Sequence, residues 1–252
     1  MAFRFLFSAT VLFFTVSCSD SRDSDQLSKL SPSESVISKS VDFHFGDQSD
    51  SLSFSFAFRN KVYSVERRNG NYRYTISYND SIGDHYGVLS NRGYVEELDG
   101  ALTKLSKKDS SAKANALNSV VYFNLVPLLL KDDAAYTREL EGEEIDGVKY
   151  HKIEVRFSEE GGGEDHDDVY HYWFDREDYS MDYLAYSFHV NDGGTRFRKA
   201  INQRRINGLY FQDYENYKGP ADPDSLKYIS DLYKANELPL LSKIEIVSIK
   251  VN

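Results

Sequence analysis

The residues best suited to chemistry lie in one polar run: Ser158-Glu159-Glu160-Gly161-Gly162-Gly163-Glu164-Asp165-His166-Asp167-Asp168. Three successive glycines allow backbone angles closed to other residues and let a partner approach closely. Glu164, Asp165, His166, Asp167 and Asp168, with His171 just beyond, supply carboxylate oxygens and imidazole nitrogens that suit Ca²⁺ or a transition metal. The alternating Asp/Asn, the Gly and the closing Glu of a calcium loop are missing from this order. The run therefore reads as a solvated hairpin loop, with a metal-assisted hydrolase as the alternative and the metal itself unassigned. His151, His171 and His189 would form a second site if they met across neighbouring strands; singly, each reads as a hydrogen-bonded structural residue. His44 falls at the end of a short helical segment, where a cation is mildly favourable. Arg196 and Arg198 project to one side of a strand, within reach of Glu154 or the acidic run. No Gly-x-Ser-x-Gly elbow, Cys-His pair or phosphate-binding glycine loop is present, so no catalytic residue and no cofactor is assigned, and an enzyme is the less favoured reading.

A different chemistry attaches to Cys18, the only cysteine. Ahead of it run Arg4, an apolar stretch from Phe5 to Val16, and small Ser17, the three regions of a secretory signal in order. The apolar stretch is too short for the roughly 20 residues that a spanning helix needs. Thr15-Val16-Ser17-Cys18 is similar to the lipoprotein-processing box, with Thr15 where that box usually has Leu. A lone thiol has no internal disulfide partner, and acylation with palmitate-type chains would account for it. Two or more chains anchor stably where one does not, since each buried methylene contributes about 0.8 kcal/mol. These residues predict a signal peptide over 1–17, a lipidated flexible tether over 18–30 and one β-rich globular domain over 31–252. The expected location is the cell envelope, with the domain held at a membrane, such as the outer membrane, on its periplasmic or exposed side.

Something must hold these groups in place, and the patterning says what. The formal net charge of −10, without a basic block, repels phosphate backbones and argues against nucleic acid as a partner. With 19 Tyr and 16 Phe the chain is rich in residues that suit half-buried pleated surfaces. Ser31-Pro32-Ser33-Glu34 is a capping box, and Val36, Ile37, Ser40 and Val41 then share one face of a helix ending near Phe43. From Ser51 the period becomes two, with Leu52, Phe54, Phe56 and Phe58 alternating with polar or small residues. Asn60-Lys61 and Asn69-Gly70 mark tight turns, and Tyr72, Tyr74, Ile76 and Tyr78 continue the alternation. Shorter strands follow near Tyr86–Leu89 and Gly93–Leu98.

The segment 109–140 breaks this pattern and predicts two helices flanking Pro127, packed over the open face of the sheet, with the apolar Leu125–Leu130 stretch as a lid. Strands resume over Val148–Ser158, Val169–Phe174, Tyr183–His189, Gly194–Ile201 and Gly208–Tyr217. A helix led by Asp222-Pro223 follows, and Leu241–Val251 closes the sheet. The prediction is a β-rich α+β fold: a single curved antiparallel sheet, a half-open barrel, covered on one face by a few helices.

Several segments carry a resemblance. Val121-Tyr122-Phe123, Leu128-Leu129-Leu130, Glu139-Leu140-Glu141-Gly142-Glu143 and Gly147 to Phe157 resemble an uncharacterised family of bacterial lipoproteins. So do Glu160-Gly161-Gly162-Gly163-Glu164-Asp165-His166-Asp167-Asp168-Val169, Tyr172-Trp173, Asp182 to Ser187 and Arg196-Phe197-Arg198. The likeness covers roughly residues 31 to 250 and brings no established activity. An aldolase label attached to some members requires a βα alternation that this sequence lacks. By layout alone the chain is also similar to the lipoprotein-sorting LolA/LolB-like fold. That resemblance implies a concave face, roofed by helices, that holds acyl chains. The function expected is a membrane-anchored envelope protein binding a lipid or other apolar small molecule, with Phe54, Phe56, Phe58, Tyr74, Trp173 and Leu128 as candidate pocket residues. A structural or interaction lipoprotein without a small ligand is the remaining alternative, its protein partner unknown.

Overall fold

The computed structural model describes residues 30–158, 168–189 and 193–252. Cys18, Glu164, Asp165, His166 and Asp167 lie outside the described residues. Helix α1 (Pro32–Phe45) buries Ser33, Val36, Ile37, Ser40, Val41, His44 and Phe45. This is the predicted stripe at spacings of three and four, continued for one more turn to Gly46, whose φ of 51° ends the helix.

Strands β1 (Ser51–Phe58), β2 (Lys61–Arg68), β3 (Asn71–Asn79), β4 (Asp84–Ser90), β5 (Gly93–Leu98) and β6 (Ala101–Leu102) form an antiparallel meander. Asn69 and Gly70 both have positive φ, 50° and 76°, as a two-residue hairpin turn requires. Helix α2 (Lys107–Leu125) follows, capped by Ser106, whose hydroxyl accepts from the Asp109 backbone N–H. The chain then runs through β7 (Ala135–Ile145), β8 (Val148–Phe157), β9 (Tyr170–Asp175), β10 (Met181–Phe188), β11 (Gly194–Ile206) and β12 (Leu209–Lys218). A 3₁₀ segment (Pro223–Tyr228) leads into α3 (Ile229–Lys234), and β13 (Leu240–Ile244) and β14 (Ile246–Val251) complete the fold.

The last strand decides the architecture. Its first half, β13, pairs with β12, and after Glu245 its second half, β14, pairs with β1. One extended segment thereby joins the two seven-stranded sheets, in order β6-β5-β4-β3-β2-β1-β14 and β13-β12-β11-β10-β9-β8-β7. Phe54, Val65, Tyr74 and Leu89 from one half share a single apolar cluster with Ile153, Tyr172, Leu184 and Tyr214 from the other, and with α1 and α2. The sheet therefore curves around the helices, and among the described residues β6 and β7 are its outer edges, so the barrel is half-open as the sequence predicted.

One expectation needs correction. In the segment 109–140 a single α-helix, α2, precedes Pro127, and only a 3₁₀ turn (Leu128–Lys131) follows it. Leu125, Val126, Leu129 and Leu130 are buried in the core, so the apolar stretch is packing and not a lid. Residues 135–145 form an edge strand despite their Glu-rich composition, because ladder bonds to β8 outweigh local helical preference. Helices cover the inner face as expected, and a further layer lies outside it. The outer face of β8–β11 is packed as well: Tyr150, Trp173, Tyr183 and Phe197 lie under Leu226, Ile229 and Leu238 of the C-terminal segment.

Candidate functional site: cavities beneath helix α2

Helix α2 lies in the concavity and is fixed there by polar links. Lys113 Nζ reaches Glu96 of β5 at 2.7 Å, and the Tyr122 and Tyr172 hydroxyls share a 2.6 Å hydrogen bond. Leu117, Val121 and Leu125 fill the space directly below. A straight helix cannot fill a curved sheet on both flanks, and a cavity remains on each side.

The larger, about 360 Å³, is bounded by Ser119, Val120 and Phe123 of α2, Tyr186 of β10, Arg198 of β11, Gln212, Tyr214 and Asn216 of β12, and Ile244 and Ile246 of the last strand. Phe58 and Arg59 stand at the end of β1 on its wall. This volume lies in the usual range of small-molecule pockets, about 300–1,000 Å³. The smaller, about 250 Å³, is lined by Arg67, Tyr72, Tyr74, Tyr122, Phe157 and Tyr170, among others, and shares Ser119 and Phe123 as a partition. Tyr170 and Tyr186 stack at 5.6 Å between ring centroids, so a band of phenols runs from one cavity toward the other. Burial raises the Tyr122, Tyr172 and Tyr214 hydroxyls above the ordinary phenol range, Tyr214 to about 12, which leaves them neutral donors and acceptors at any physiological pH.

Arg198 is the unusual group in this lining. It is 7% exposed, and its guanidinium carbon sits 3.7 Å from the Phe123 ring centroid, 5.4 Å from Tyr186 and 5.9 Å from Tyr214. Nη2 donates to the Tyr186 hydroxyl at 3.1 Å, while Nε and Nη1 have no hydrogen-bond partner among the described residues. Gln212 donates through Nε2 to the Met181 carbonyl and the Tyr214 hydroxyl, and Asn216 through Nδ2 to Ser242, yet Gln212 Oε1 and Asn216 Oδ1 are likewise unpartnered. Ring contacts return about 0.5–2 kcal/mol each way they are made, less than the several kcal/mol that burying an ion costs. The sequence placed Arg196 and Arg198 on one side of a strand, and they do share the inner face. Glu154, however, faces outward and engages Arg138, Arg156 and His171.

The predicted pocket residues separate. Phe58 lines the larger cavity and Tyr74 the smaller, where its hydroxyl accepts from Arg67 at 2.8 Å. Phe54 and Phe56 are solid core, packed on Phe211 and Tyr63. Leu128 packs at the edge of that core and lines neither cavity. Trp173 belongs to the opposite face, fully buried, with its indole N–H donated to Glu143 at 2.8 Å and Lys152 over its ring. It alternates out of register with its neighbours Tyr172 and Phe174, which point inward. Burial works against ionising Glu143, but hydrogen bonds from Lys152, Ser230 and Trp173 outweigh it and hold the carboxyl below its usual range.

The histidines do not converge. His151, hydrogen-bonded to Glu139 at 2.9 Å, is register partner of inward Phe174, whereas His171 is paired across the strands with outward Glu154. His189 contacts Asp168 at 3.1 Å beyond the end of β10. No cluster of three metal-ligating side chains occurs among the described residues. His44 is not the helix-end cation expected: burial pushes it down to about 4, and its Nδ1 bonds to the Ser40 carbonyl.

Comparison with known proteins adds family and fold. Residues 4–246 match the family of unknown function DUF6503. The chain belongs to that family. No curated protein matches this DUF6503 member in sequence. Among solved structures, a LolA superfamily protein from Nitrosomonas europaea superposes with a TM-score of 0.51 at 12% identity, covering 88% of this chain and 94% of that one. A DUF1329 family protein from Desulfovibrio piger gives 0.45 at 12% identity over 88% and 94%. A putative outer membrane lipoprotein-sorting protein domain from Vibrio parahaemolyticus gives 0.42 at 6% identity over 86% and 91%. The first of these bears out the LolA-like layout at the level of fold. No helix among the described residues is long and apolar enough to cross a membrane.

Proposed function

We propose that this DUF6503 protein is a lipid-anchored envelope protein whose concave face, beneath α2, takes up a lipid or similar amphipathic molecule. The observation that carries the reading is the larger cavity, whose lining combines Val120, Phe123, Ile244 and Ile246 with Arg198, Gln212 and Asn216. A wall of this mixed character fits a ligand with a hydrocarbon body and a polar end better than it fits water alone. The order of Arg4, the Phe5–Val16 stretch and Cys18 supports the anchor, with cleavage before Cys18 and the segment to residue 30 as tether.

Saturable binding of N-phenyl-1-naphthylamine to the purified domain tests the cavity. One site per chain is expected, and Val120→Trp, which fills the space, weakens it by about tenfold or more. Absence of saturable binding by the folded wild-type protein refutes the reading. For the anchor, Cys18→Ala should abolish palmitate labelling and move the protein from the membrane to the soluble fraction; unchanged labelling rules out acylation at that thiol.

A further inference from the structure

We infer that the larger cavity selects an acyl amphiphile with an oxyanion head, and that Arg198 is the residue that receives it. The inference rests on the binding reading above and adds the class of head group.

Three observations converge on it. Among the described residues the cavity wall contains two cations, Arg198 at depth and Arg59 on the exposed turn after β1, and no Asp or Glu, in a chain whose net charge is −10. The Arg198 guanidinium is held in place by three rings and the Tyr186 hydroxyl, but its Nε and Nη1 donors stay unpartnered among the described residues. Each of these buried donors can give a short charge-assisted hydrogen bond to an oxygen of a carboxylate or phosphate. Asn216 is the register partner of Arg198 across β11 and β12, so its free Oδ1 lies beside the same spot, and Gln212 Oε1 adds a second unpartnered acceptor. These acceptors take O–H or N–H donors carried near the oxyanion.

Apolar residues complete the lining. Val120, Phe58, Ile244 and Ile246 offer aliphatic and ring surface for methylenes, and Arg59, stacked on Phe58 at 5.0 Å, remains exposed. The geometry thus places the head inward at Arg198. Arg59 contributes at the rim, where charge affects association more than final affinity.

The test compares three probes on the wild-type domain: cis-parinaric acid, its methyl ester, and inorganic phosphate or acetate alone. The acid should bind about ten- to a hundredfold more tightly than the ester, the difference expected for hydrogen bonds to a charged group. Arg198→Met should erase that preference while N-phenyl-1-naphthylamine still binds, and Arg59→Gln should change affinity for the acid far less. Equal binding of acid and ester overturns the head-group inference and leaves the cavity reading intact. Binding of neither, with no binding of the naphthylamine probe, overturns the reading on which it rests. Stabilisation by phosphate or acetate alone equal to that by the acid would overturn the acyl part of the inference. The acid-ester comparison needs no variant, so it stands even if Arg198→Met does not fold.

Discussion

At the scale of single residues, burial sets the behaviour of the ionisable groups. His44 and His171 are each pushed from 6.5 down to about 4, both chiefly by desolvation, and His171 further by the Lys152 charge. The unfolded chain therefore binds more protons than the folded one between pH 6.5 and about 4, and stability falls as pH falls through that window. Each histidine withdraws up to about 1.4 kcal/mol per pH unit there. Asp132 and Asp182, which burial raises, act in the opposite sense just above the ordinary aspartate range. Glu143 and Glu154 lie below their usual range and matter only at lower pH. Thermal melts at pH 7.5, 6.5, 5.5 and 4.5 should show a falling Tm, and His44→Gln should remove about half of the slope. A pH profile unchanged by that variant would mean that the imidazole protonates without leaving its site.

At the scale of elements, β7 shows how partners override local preference. The ladder with β8 slips between Leu140 and Glu143, and Gly142 sits in that bulge. A Cβ there would lie 2.6 Å from the Tyr150 carbonyl oxygen, a backbone atom with little freedom to retreat. Gly142→Ala should cost about 1–3 kcal/mol, a drop in Tm of roughly 3–10 °C for a domain of this size. A melt indistinguishable from wild type would mean that the bulge moves freely. Its position matters beyond stability, because Glu143, the residue after it, anchors Trp173 and Lys152 on the outer face.

At the scale of the whole molecule, the final strand is the joint between two meanders. Residues 246–251 pair with β1, Ile246 is buried, and the Asn252 N–H donates to the Ser53 carbonyl. Ending the chain after Glu245 would strip β1 of one ladder and expose an apolar-faced edge. The truncated protein should lose its sharp thermal transition and aggregate on refolding. A cooperative melt within a few degrees of the full chain would show that the helices alone hold the two halves together.

Local pattern was enough to read much of this protein. Period-two alternation marked Leu52, Phe54 and Phe56, the pair Asn69-Gly70 marked its turn, and the spacing of Val36, Ile37, Ser40 and Val41 marked the inner face of α1. Each of these follows from neighbours a few residues apart. The strand at 135–145, the side of the sheet on which Trp173 lies, and the isolation of Arg198 among Phe123, Tyr186 and Tyr214 depend on residues tens of positions away. Alternation states that Trp173 and Tyr172 face opposite ways, but which face meets the helices is settled only when the sheet curls. Arg198 looked like a surface ion-pair candidate because sequence carries charge but not burial. Tertiary structure removed it from water and from every carboxylate described, and that loss of solvation is what singles it out.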